Sequence, residues 1–119
     1  MAGTVTIFGA THYRWRADVK RLVRRYEARF QTKANTYDDH PTGWHLDNVS
    51  VDFWAPAGRG YSIDPQVGLR IVHKLKEGQH RHPWRWLIYR GRIQYPSGYS
   101  QAYWDPTDQH FDHVHVTFA

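Results

Sequence analysis

Apolar and polar positions alternate most cleanly over Asp112-His113-Val114-His115-Val116-Thr117-Phe118. Side chains of an extended strand alternate between its two faces, so Val114, Val116 and Phe118 share one side and His113, His115 and Thr117 the other. A second run, Asn48 to Trp54, sets Val49, Val51 and Phe53 against Ser50, Asp52 and Trp54 and predicts another strand. Thr4 to Phe8 reads as a short strand ending at Gly9. Trp84 to Arg90 reads as a strand with Trp84, Trp86 and Ile88 on one side and Leu87 and Tyr89 on the other. Gly91 turns the chain, and Arg92 to Tyr95 returns as the second arm of a hairpin.

Between these strands the period changes. From Arg16 to Phe30 the apolar residues Val19, Leu22, Val23, Tyr26 and Phe30 form one helical stripe, with Arg16, Lys20, Arg21, Arg24 and Arg25 mostly off it. That basic face is read as solvated surface. Asp64-Pro65 is a capping residue followed by proline in a first turn. Val67, Ile71, Val72 and Leu75 form the buried stripe of this second helix, which Gly78 ends. Asn35 to Asn48, Ala55 to Tyr61, Gln79 to Pro83 and Pro96 to Phe111 read as loops. The glycine-rich Ala55–Tyr61 turn lacks the Gly-Lys-Ser/Thr ending of a phosphate loop. The histidines of the third loop, His80 and His82, have no strand or neighbouring carboxylate to fix them and read as solvated. The pattern predicts an α+β fold: a small antiparallel sheet with about two helices packed on one face, leaving the other for chemistry. Without repeats or a linker, residues 1–119 read as a single domain.

Composition narrows the chemistry. No cysteine is present, so disulfides and thiolate metal sites are excluded, and any metal must be held by histidine and carboxylate. A formal charge of +5 favours an anionic partner or surface. Lysines and arginines are scattered rather than clustered with aromatics, and no nucleic-acid-binding signature occurs, so nucleic acid is not the expected partner. No stretch approaches the ~20 apolar residues of a membrane span, and no basic-then-apolar leader is seen at Met1 to Ala10. The expectation is a cytoplasmically made monomer without membrane insertion.

An aspartate inside a β-branched, aromatic strand works against local propensity, which marks Asp52 as a functional candidate. Zinc hydrolases without cysteine use three protein ligands and leave a position for water, whose pKa the metal lowers while it polarises the carbonyl under attack. Asp52 can offer an oxygen and His115 a nitrogen. His40 or His45, in the loop leading to the Asp52 strand, can complete the set, and Asp112 or His113 can carry the proton.

Five segments in order, His40-Pro41-Thr42-Gly43-Trp44, Ser50-Val51-Asp52-Phe53-Trp54, Gly58-Arg59-Gly60, the hairpin Trp86 to Ile93 and Asp112 to Phe118, resemble a known group. It is that of the zinc D-alanyl-D-alanine carboxypeptidases and L-alanyl-D-glutamate endopeptidases, which share a fold with lysostaphin-type peptidases and the hedgehog signalling domain. The similarity is strongest to small actinobacterial and actinobacteriophage versions and spans roughly residues 34–118. It implies one zinc ion held by His40, Asp52 and His115, with Asp112 and His113 as catalytic residues. Six residues separate His45 from Asp52, the spacing of most carboxypeptidase-type members. Eleven separate His40 from it, the spacing of the actinobacterial subgroup whose flanking residues match better. Asp112 stands where the carboxypeptidase-type members carry glutamate, one methylene longer.

The resemblance thus implies a zinc metallopeptidase cutting peptide bonds of bacterial peptidoglycan, endolysin-like, reaching the wall by phage lysis machinery or in a virion. The alternative is a metal-containing binding or structural module on the same scaffold, since fold does not fix function.

Overall fold

A computed structural model describes residues 15–35, 48–58, 61–104 and 110–119. The elements are α1 (Ala17–Phe30), β1 (Lys33–Asn35), β2 (Ser50–Trp54), α2 (Pro65–Glu77), β3 (Trp84–Tyr89), β4 (Arg92–Gln94), β5 (Ser100–Ala102) and β6 (Val114–Phe118). They build one antiparallel six-stranded sheet, order β1-β2-β6-β3-β4-β5, with two helices. This is the expected α+β class.

Both helices form where the apolar period requires. Val19, Leu22, Val23 and Tyr26 of α1 are buried, as are Ile71, Val72 and Leu75 of α2. They pack on Val51, Phe53, Val114, Val116 and Phe118 from one face of the sheet. Asp64 caps α2 by accepting from the backbone N–H of Gln66 at 2.8 Å and of Val67 at 3.4 Å, with Pro65 in the first turn. Helix α1 ends on Gln31 in the left-handed region, φ 53°. Half-buried Glu27 then accepts the backbone N–H of Ala34 at 2.9 Å, tying the helix to β1. No helix among the described residues is long and apolar enough to cross a membrane.

Three expectations need correction. Lys33–Asn35 is a strand where Asn35 was read as the start of a loop; its three residues pair with Trp54, Phe53 and Asp52. The Pro96–Phe111 loop contains β5, a short edge strand paired with β4. In β3 the register shifts between Trp84, opposite Phe118, and Trp86, opposite Thr117. Arg85 is thus an extra residue, a β-bulge that reverses the side-chain parity. Trp84 joins Leu87 and Tyr89 in the core, with its indole N–H on Leu75 O at 2.9 Å, and is not on the side of Trp86 and Ile88. The hairpin itself is as expected: Arg90 and Gly91 both have positive φ, 52° and 75°, which suits the strand twist across a two-residue turn. The predicted strand Thr4–Phe8 lies outside the described residues.

Glycine is required at position 68 of α2, because a Cβ there would overlap the Tyr89 ring and hydroxyl. Gly68→Ala gains helix propensity of about 1 kcal/mol, but overpacking of about 1–3 kcal/mol opposes it. Urea unfolding is expected to show net destabilisation. Burial, partly opposed by the backbone N–H of Ala34 and by Lys33 and Arg24, raises the pKa of Glu27. A carboxyl raised on folding costs stability as pH climbs through its unfolded and then its folded pKa. Glu27→Gln keeps the acceptor and is expected to exceed the wild type in stability at pH 7, with the advantage fading towards pH 4.

Candidate metal and catalytic site

The site is built on the second face of the sheet by two paired strands. β2 and β6 run antiparallel with Asp52 opposite His115, Ser50 opposite Thr117 and Val51 opposite Val116. Opposed residues point to the same face, so the register that sends the valines into the core sends Asp52 and His115 out together. The alternation read in both strands therefore dictates the meeting of two residues 63 positions apart.

Asp52 is only 2% exposed. A carboxylate that deep costs several kcal/mol unless compensated, and imidazoles surround it. His115 Nδ1 lies 2.7 Å from its Oδ1, and His113 Nε2 lies 3.7 Å from the same oxygen. Burial opposes ionisation of Asp52, but the charge of His113 and the hydrogen bond and charge of His115 outweigh it and hold its pKa below the usual range.

His113, 1% exposed, is fixed on two sides. Its Nδ1 is 2.8 Å from Asp112 Oδ1, and that bond, against some burial, lowers the Asp112 pKa. Its ring stacks on Trp54 at 4.2 Å between centroids. Trp54 in turn donates its indole N–H to Asn35 Oδ1 at 2.8 Å, so β1, unnoticed in the sequence, anchors the wall behind the histidine. The side chains of His115 and Asp112 remain 18% and 43% exposed, which opens the cluster to solvent.

His110 belongs here too, although the sequence reading passed over it. Its ring lies 4.8 Å from that of His113 and 5.8 Å from that of His115. It sits just before β6, buried, with φ 59°. Such a conformation is uncommon for a non-glycine residue. Loop histidines carry no periodicity, but its place five residues before His115 was a usable signal. His82 is elsewhere, 3.4 Å from an Arg25 nitrogen. Burial and the Arg25 charge lower its pKa. His80 is exposed, as expected.

The structure thus brings together Asp52, His113, His115 and Asp112 of the expected set. His40 and its alternative His45 lie outside the described residues. Among the described residues no three His, Asp or Glu side chains are arranged to hold a metal ion. The donors present fit zinc in kind: a carboxylate oxygen and an imidazole nitrogen facing each other on rigid strands.

Asn35→Ala would leave the Trp54 indole N–H buried without its acceptor, a cost of about 1–3 kcal/mol. Urea denaturation is expected to show that loss, and unchanged stability would mean that the Trp54 wall holds itself. Comparison with protein-family models, curated proteins and solved structures returned no match for this chain.

Proposed function

We propose that the protein is a zinc metallopeptidase that hydrolyses peptide bonds in the stem peptides or cross-links of bacterial peptidoglycan, in the manner of an endolysin. The observation that carries the reading is the buried Asp52 carboxylate facing His115 Nδ1 across paired strands, with a second, carboxylate-oriented imidazole beside them. Asp52 and His115, with His40 from the segment that precedes β2, would hold the ion. Bound zinc supplies Lewis acidity towards a carbonyl and towards water.

The protein's own groups then divide the remaining work. Asp112 accepts from His113 Nδ1 and so directs Nε2 towards the Asp52 side of the cluster. This makes His113 the group that moves the proton and Asp112 the group that orients it. His110 lies within the same ring cluster and adds a further imidazole near the path of the proton. Tyr99, Trp104 and Phe111, exposed aromatics on the chain between β4 and β6, offer surface for a peptide or sugar to lie on. A net charge of +5 favours approach to an anionic envelope.

The test is zymography on actinobacterial walls, using zinc-loaded protein with and without chelator. Clearing is expected from the wild type, lost on chelation and on Asp52→Ala. His113→Ala is expected to lower the rate by about 10²–10⁴-fold, the contribution of a general acid–base group, with zinc still bound. Zinc binding without turnover, and with no effect of His113→Ala, would instead favour a non-catalytic module.

A further inference from the structure

One hydroxyl, given no role so far, contacts the predicted ligand His115 at its second ring nitrogen, the one not facing Asp52. His115 Nε2 lies 2.8 Å from Thr117 Oγ1, and Thr117 Oγ1 lies 3.2 Å from Ser50 Oγ. Thr117 is two residues along the same face of β6 and opposite Ser50 in the register of β2. Its own side chain is buried, 1% exposed. The two imidazole nitrogens therefore have different tasks: Nδ1 faces the carboxylate, and Nε2 is held by a hydroxyl that the sheet keeps in place.

From this geometry we infer that Thr117, backed by Ser50, is a positioning residue that holds the His115 ring in place through either tautomer and thereby raises the affinity of the site for zinc. The inference rests on the metallopeptidase reading of the preceding subsection. A neutral imidazole carries one proton. When that proton is on Nδ1, the hydrogen bond to Asp52 is satisfied and Nε2 accepts from the Thr117 hydroxyl. When Nδ1 gives its lone pair to a cation, the proton must be on Nε2, which then donates to Thr117 Oγ1. The hydroxyl hydrogen turns to Ser50 Oγ. A hydroxyl serves both states because it donates and accepts, whereas a carbonyl or carboxylate could only accept. The contact with Thr117 can thus persist through the change of tautomer, and the ring's orientation is paid for in the folded sheet rather than at binding. Partners of this kind are worth about 10–100-fold in metal affinity.

The experiment is competition for zinc against a chromophoric chelator, together with imidazole ¹⁵N shifts of histidine-labelled protein and circular dichroism to verify folding. Thr117→Val keeps the shape but removes the hydroxyl, and is expected to weaken zinc binding about 10–100-fold. Thr117→Ser is expected to restore it. Ser50→Ala is expected to weaken it to a smaller degree, and serves as the test if Thr117→Val does not fold. In zinc-loaded wild type the His115 proton should be found on Nε2. Undiminished zinc affinity in folded Thr117→Val, or in Ser50→Ala where it stands in, would overturn the inference alone. So would a wild-type His115 protonated on Nδ1 with zinc bound elsewhere on its ring. A wild type that binds no zinc would overturn the metallopeptidase reading and this inference with it.

Discussion

The ladder between β2 and β6 is the constraint on which the rest depends. Its register is enforced from the core side, where Val51, Phe53, Val114, Val116 and Phe118 are buried together. Slipping it by one residue would bring charged and polar side chains into that core and valines to the other face. The hydrophobic effect thus holds Asp52 against His115, although neither residue contributes to it. The strength of this arrangement lies in that division. Burial of the valines supplies the stabilisation, and the polar face can carry a costly carboxylate because imidazoles surround it and that of His115 hydrogen-bonds to it.

The polar face is also supported from its flanks. Asn35 of β1 holds the Trp54 indole, Trp54 stacks on His113, and Asp112 fixes the same ring from the chain just before β6. On the other flank Thr117 and Ser50 hold His115. The imidazoles of His113 and His115 are therefore oriented by groups on the sheet or directly beside it, the kind of support that a preorganised site needs. The basic face of α1 contributes nothing to this cluster; its helix packs against the opposite side of the sheet.

Much of this was legible because it is written in periodicity. The stripes of α1 and α2, the alternation of β2 and β6, the Asp64 cap and the Arg90-Gly91 turn each follow from a local rule, and each is found where that rule puts it. What escaped lacks such a rule. β1 and β5 have three residues each, too few to show a period, and exist because a neighbouring strand offers its edge. The bulge at Arg85 inserts one residue whose only trace is a broken alternation, so the side of Trp84 could not be read. His110 lies in a loop, where position is set by tertiary packing. The choice between His40 and His45 falls on residues 36–47, outside those described.

One feature of the topology carries further. β6 follows the other five described strands in sequence yet sits between β2 and β3 in the sheet. Without β6, β1–β2 and β3–β4–β5 would share no strand pairing, and Asp52 would have no imidazole opposite it. Such closure by a distant segment is slow compared with local contacts, because loop entropy is lost before contact energy is gained. The same strand that joins the two halves of the sheet thus also completes the chemistry-bearing centre, so a chain lacking that strand pairing would have neither.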